Sequence, residues 1–222
     1  MRTKALLGLA VLAASAATCM AQGNVYSLNI VGYVNVQLEA NKFALIANPL
    51  TPSNGNTQIT NSIVLSEAAV DAIAYKWNGT GYDQSIWYGG TDGWLPSVDL
   101  PVGDAFFIKS PVAATITFVG EVATGTVDQT LPAGTSLKAN KIPVAAAWPG
   151  KDIGTEDDIM YTWGGTGWNN TWIYYGNPAT AGDGWLDSNN VGPDGPTLAP
   201  GVGVAYISKA AAALSWQRTF NP

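Results

Sequence analysis

The chain has no histidine and a single cysteine, Cys19. Losing histidine removes the commonest general base and the commonest metal ligand. Ser-His-Asp hydrolysis, Cys-His hydrolysis and His-ligated zinc are therefore excluded within this chain. Charge is also sparse. Asp, Glu, Lys and Arg make up 12% of residues against 47% apolar ones, far from the composition of disordered chains. Acidic residues outnumber basic ones 16 to 10, a formal charge of −6. That sign opposes binding to nucleic acid, whose phosphates recruit Lys and Arg, and electrostatic attachment to anionic lipid.

The one long apolar run, Ala5–Ala17, follows Arg2 and Lys4 and ends near the small-residue sequence Cys19-Met20-Ala21. This is the pattern of a signal peptide over residues 1–21, and the run is shorter than the roughly 20 residues of a membrane span. Ala-Ala-Thr before Cys19 lacks the leucine and small residue that precede a lipidated cysteine. We expect cleavage before Gln22, no lipid, and a secreted or cell-surface location. The mature chain would then carry 8 basic and 16 acidic residues and no cysteine. Disulfides would be absent even though the compartment permits them.

What the chain has instead is a repeat. Ile73-Ala-Tyr75-Lys-Trp77-Asn-Gly79-Thr80-Gly81-Tyr82 returns 86 positions later as Ile159-Met-Tyr161-Thr-Trp163-Gly-Gly165-Thr166-Gly167-Trp168. Asp92-Gly93-Trp94-Leu95 returns as Asp183-Gly184-Trp185-Leu186, and the run from Gly103 to Lys109 as Gly201 to Lys209. A period near 90 exceeds the roughly 20–50 residues of solenoid units and matches a small all-β domain. Ile73, Tyr75 and Trp77 alternate with Ala74 and Lys76, as on a half-buried strand, and Ala114–Val119 alternates likewise. Ala105-Phe-Phe-Ile108 is continuously apolar, the mark of a strand buried on both faces. The one helical candidate is Ser66–Asp71, with Ser66 as cap. The expected fold is all-β, with two tandem antiparallel β-sandwich or partly open barrel units produced by internal duplication. The units span residues 36–122 and 125–222, behind an N-terminal β-strand segment, 22–35. The short linker implies that they pack on each other. The N-terminal segment either completes a sheet of its own chain or is donated to a neighbour in self-association.

Leu45-Ile46-Ala47-Asn48-Pro49, then Tyr75-Lys76-Trp77, then Pro101-Val-Gly103-Asp-Ala105-Phe106-Phe107-Ile-Lys109 occur in a recognisable order. The first unit resembles the β-rich repeat domains of uncharacterised exported proteins of Gram-negative bacteria. The second unit fits less closely, with its proline moved to Pro143 and one aromatic lost at Ala205-Tyr206. The resemblance implies export and a non-catalytic accessory or surface role, and supplies no catalytic residue.

Nine tryptophans stand out, since Trp is large and its indole N–H usually needs a partner. Trp77, Trp163 and Trp216 read as core. Trp168, Trp172, Tyr174 and Tyr175 lie in an Asn-rich stretch, matched by Tyr82, Trp87 and Tyr88 in the first unit. The four-residue spacing of Trp168 and Trp172 places them on one strand face, where rings beside amides could stack on sugars. These seven aromatics are the candidate ligand-binding set. Asp183, Asp187, Asn189 and Asp194 form an oxygen-rich loop, lengthened by about seven residues in the second unit, that could hold Ca²⁺ but lacks EF-hand spacing. Asp152, Glu156, Asp157 and Asp158 read as a solvated acidic cluster. No cofactor is implied, and no nucleophile–base pair can be assembled, so the expectation is not an enzyme. It is a secreted structural or adhesive surface or matrix protein, with a carbohydrate-binding module as the alternative. The partners would be polysaccharide or other surface proteins.

The processing expectation has a direct check. Intact mass of the exported protein should correspond to a chain beginning at Gln22; a diacylglycerol adduct on Cys19 would contradict it.

Overall fold

The computed structural model describes residues 30–176, 184–189 and 192–221. The expected leader and Val25–Asn29 lie outside the described residues. The fold is all-β, and among the described residues the strand pairings are antiparallel and no sheet closes into a barrel. Among the described residues, helix is confined to one turn, α1 (Ile59–Ser62), which the sequence did not signal, and a 3₁₀ turn at Glu67–Ala69. Ser66 occupies the cap of the latter without a side-chain hydrogen bond.

The first half contributes β1 (Val31–Leu38), β2 (Phe43–Ala47), β3 (Ile73–Trp77), β4 (Tyr82–Trp87), β5 (Trp94–Leu95), β6 (Ala105–Lys109) and β7 (Ala114–Glu121). The second half contributes β8 (Gly125–Leu131), β9 (Gly134–Ala139), β10 (Ala146–Ala147), β11 (Ile159–Trp163), β12 (Trp168–Tyr175), β13 (Gly184–Asp187), β14 (Thr197–Leu198), β15 (Gly203–Ser208) and β16 (Leu214–Phe220). One five-stranded sheet has the order β2-β6-β3-β4-β5, and the other β9-β15-β11-β12-β13. Each is covered by a two-stranded sheet, β1–β7 or β8–β16. The two halves thus share one strand order, as the sequence repeat implies. β1 pairs with β7 of its own chain from Val31↔Glu121 to Leu38↔Ala114, and stands where β8 stands in the second half.

The layers run β1/β7, first large sheet, second large sheet, β8/β16, with an apolar core between each adjacent pair. Val34, Ile46, Phe106, Ile108, Ile116 and Phe118 fill the first outer core. Met160, Tyr174, Trp185, Val204, Tyr206 and Trp216 fill the second. Leu45, Ala47, Ala105, Phe107, Leu137, Ala139 and Ala205 form the central one. The apolar run in β6 is explained by this layering: Phe106 and Ile108 face outward to one core while Ala105 and Phe107 face the other sheet.

Trp77 and Trp163 depart from expectation. They are half-buried, and they face the opposite unit rather than their own core. Ala74, between Ile73 and Tyr75, is the residue that packs inward on β3. Trp77 Nε1 donates to the carbonyl of Thr135 in β9 at 3.0 Å, and Trp163 Nε1 to that of Phe43 in β2 at 2.8 Å. Phe43 and Thr135 hold equivalent places in their strands, so the two bonds are related by a pseudo-twofold. A second reciprocal pair joins Ala47 N–H to the Gly201 carbonyl at 3.0 Å and Ala139 N–H to the Gly103 carbonyl at 2.9 Å.

Gly103 and Gly201 have φ of +82° and +79°, where L side chains are rarely found. A Cβ would also meet Lys141 and Gln129 at the first site, or Val36 at the second. The join therefore constrains backbone as well as side chains.

Because the halves share this core, urea unfolding should be a single transition by circular dichroism and by Trp fluorescence. Trp77→Ala and Trp163→Ala should each cost more than the roughly 0.5 kcal/mol of an ordinary surface change. The double variant should resolve two transitions. A double variant that melts like the parent would show that the tryptophans do not join the units.

Candidate functional site

The hairpin β3–β4 turns through Asn78–Gly81, where Asn78 Oδ1 accepts from Thr80 N–H at 3.1 Å and Gly81 N–H at 2.9 Å. This short turn holds Tyr82 opposite Trp77, with ring centroids 5.2 Å apart. In the second unit Trp168 lies opposite Trp163 at 5.1 Å. Phe107 touches Phe43, Tyr82, Trp163 and Trp168, at centroid separations from 5.1 to 6.2 Å. Tyr75 adjoins Phe43, and Tyr161 adjoins Trp168. Eight rings from both units thus form one cluster over the unit junction. Its surface is open: Phe43, Tyr82 and Trp168 are 37, 46 and 45% exposed. Within it Phe43, Tyr75, Tyr82, Phe107 and Trp163 line a cavity of about 280 Å³ whose wall is almost wholly apolar.

The expected set of seven aromatics is divided by the structure. Tyr82, Tyr88, Trp168 and Tyr175 are exposed, whereas Trp87 and Tyr174 are buried in the outer cores. Trp168 and Trp172 do not share a face, contrary to their spacing. Trp163 pairs with Trp168 but Tyr161 pairs with Thr171, so β12 carries one extra residue in a bulge. A bulge reverses the side-chain alternation beyond it. Trp172 is accordingly opposite Met160 and packs against the second outer core. The cluster residues that sequence reasoning missed are Phe43, Tyr75, Phe107 and Tyr161, and it had placed Trp77 and Trp163 in the core. The signal for Phe107 was the Phe-Phe pair in β6, read only as buried strand.

A second, polar groove of about 810 Å³ runs beside Trp77 and Tyr82, and its walls include Asn78, Asp83, Gln84 and Asp99. At one end Asp104 accepts from Lys76 at 2.7 Å and from Lys138 of the other unit at 2.6 Å. Burial would raise the Asp104 pKa, but the two ammonium groups outweigh it and hold the carboxyl below its ordinary 3.8. The adjacent Lys141 is lowered, first by burial and then by Lys138. The pseudo-equivalent seam is apolar, bridged by Ile46 and Val202.

In the acidic cluster Asp152, Glu156 and Asp157 are exposed, as expected, and Asp158 is the exception. Asp158 is not solvated but fully buried. It accepts from Tyr206 Oη at 2.6 Å, from Thr155 N–H at 2.9 Å and from Lys209 N–H. Burial and then this bond push the Tyr206 phenol above its ordinary range. In the oxygen-rich loop, Asp183 lies outside the described residues, Asp187 accepts from Asn189 N–H at 2.9 Å, and Asp194 bridges to Trp185. Among the described residues no three Asp, Glu, Cys or His side chains gather into a metal-binding group. No helix among them is long and apolar enough to cross a membrane.

No family model matches the chain, and no curated protein or solved structure matches it either.

The ion triad gives a pH prediction. A carboxyl whose folded pKa is depressed stabilises the fold above its unfolded value, and that contribution is lost as pH falls through the folded one. Thermal stability of the parent should therefore drop from about pH 4 downward more steeply than that of Asp104→Asn. Parallel curves would show that the triad does not couple the units.

Proposed function

We propose that this chain is an exported, non-catalytic surface or matrix protein whose working surface is the aromatic cluster at the junction of its two units. The observation that carries this reading is the open face of Phe43, Tyr82 and Trp168, backed by five further rings. Large exposed apolar patches on stable domains mark interaction sites, and aromatic rings are enriched at interfaces because they offer much area at little entropic cost. The lack of histidine, and of any cysteine beyond position 19, is in keeping with binding rather than acid–base or thiol chemistry.

Carbohydrate binding is the second reading, and the polar groove favours it. Trp77 and Tyr82 border it as rings, while Asn78, Asp83, Gln84 and Asp99 offer amide and carboxylate groups suited to sugar hydroxyls. Such a site combines an apolar platform with a few placed polar groups.

Both readings are tested together. Tyr82→Ala/Trp168→Ala should remain folded, because both side chains are nearly half exposed, and should lose adhesion to the producing cells' surface material. Asp83→Ala/Gln84→Ala should lose pull-down on insoluble polysaccharide only if the groove binds sugar. A folded aromatic double variant that adheres as before would refute the principal reading.

A further inference from the structure

The apolar cavity does not suit a sugar. Phe43, Tyr75, Tyr82, Phe107 and Trp163 present almost only apolar atoms to it. The indole N–H of Trp163 is already committed to the Phe43 carbonyl. A polyol or an anion entering there would leave its own polar groups unpaired, which is costly. A quaternary ammonium has no such groups. It carries a positive charge with no N–H to satisfy, and the negative faces of aromatic rings attract it. Its size class also fits, since about 280 Å³ lies just below the roughly 300–1,000 Å³ of small-molecule pockets.

Three further observations bear on this. The chain is acidic, at −6 overall, so its field draws cations rather than anions. An ammonium is already placed against the cluster, with Lys109 Nζ 5.5 Å from the centre of the Phe43 ring. The pseudo-symmetric position lacks two of the rings, because Thr135 and Ala205 stand where Phe43 and Phe107 stand. There is one such five-ring wall, not a pair.

We infer that the cavity formed by Phe43, Tyr75, Tyr82, Phe107 and Trp163 is an aromatic cage for a quaternary ammonium group, of the choline or betaine type. The inference rests on the reading of the junction aromatics as the working surface. It is separable from it, because adhesion can persist without ammonium binding.

The test is an NMR or Trp-fluorescence titration of the full chain with choline and with 3,3-dimethyl-1-butanol, its uncharged isostere of the same shape. Choline should saturate and bind at least about fivefold tighter, the scale of a cation–ring attraction. Phe43→Leu keeps an apolar side chain at a partly exposed edge position and should erase that preference. Lys109→Gln removes the competing ammonium and should tighten choline severalfold without changing the isostere. Equal affinity for the two ligands would reduce the cavity to a plain apolar pocket and overturn the inference, as would no saturation by choline at tens of millimolar. With binding established, phosphatidylcholine vesicles assign the source. Co-sedimentation that free choline competes away supports a lipid headgroup, and its absence supports a soluble ammonium. If choline fails while Tyr82→Ala/Trp168→Ala still abolishes adhesion, the cage alone is wrong.

Discussion

The two units depend on each other at the edges of their large sheets. An open strand edge leaves unpaired N–H and C=O groups and invites aggregation. Here β2 and β9 each form one edge of their large sheet, and each gives that edge to the other unit. Ala47 and Ala139 donate across the pseudo-twofold to Gly201 and Gly103, and the Thr135 and Phe43 carbonyls receive the indoles of Trp77 and Trp163. Each unit thus covers an edge that the other would leave open if it stood alone. This pairing also places half-buried aromatics at a junction, where they are partly covered and partly displayed.

The pseudo-twofold is chemically uneven, and that unevenness defines the molecule's sidedness. One seam carries Lys76, Asp104 and Lys138, with Gln129 donating to the Gly103 carbonyl. The equivalent seam carries Ile46 against Val202, with Val34 and Val36 beside Gly201. An ion-paired seam and an apolar seam cannot be exchanged without leaving partly buried charge unpaired, which is costly. The pairing of first unit with second is therefore favoured over pairing of two identical units. The same divergence puts Phe43 and Phe107 on one side only, which makes the aromatic cavity single.

Much of the architecture was legible in the sequence. Period-two alternation marked β3, β7 and their partners, and the continuous apolar run marked β6 as buried on both faces. The turn residues marked the hairpins, and Asn48 and Asn140 punctuate the chain as motif residues do, each accepting the N–H two residues on at 2.9 and 3.0 Å. What the sequence could not give was which face of β3 and β11 belonged to which core. Alternation distinguishes two faces, but not whether an aromatic face meets its own hairpin sheet or another unit. The bulge in β12 was likewise invisible, because Trp168 and Trp172 keep a spacing that normally means one face. Asp158 was misplaced because its partners, Tyr206 and Ser208, lie about fifty residues away.

The account stands on the reciprocal seam, and hydrogen exchange at the Trp77 and Trp163 indoles reads that seam directly. Both side chains are partly exposed, so solvent alone would let their N–H groups exchange quickly. If each is held by a carbonyl of the opposite unit, the two indole protons should exchange slowly, at matching rates, and only with global unfolding. Rapid exchange at either indole, with the β6 and β15 backbone amides still protected, would contradict the account.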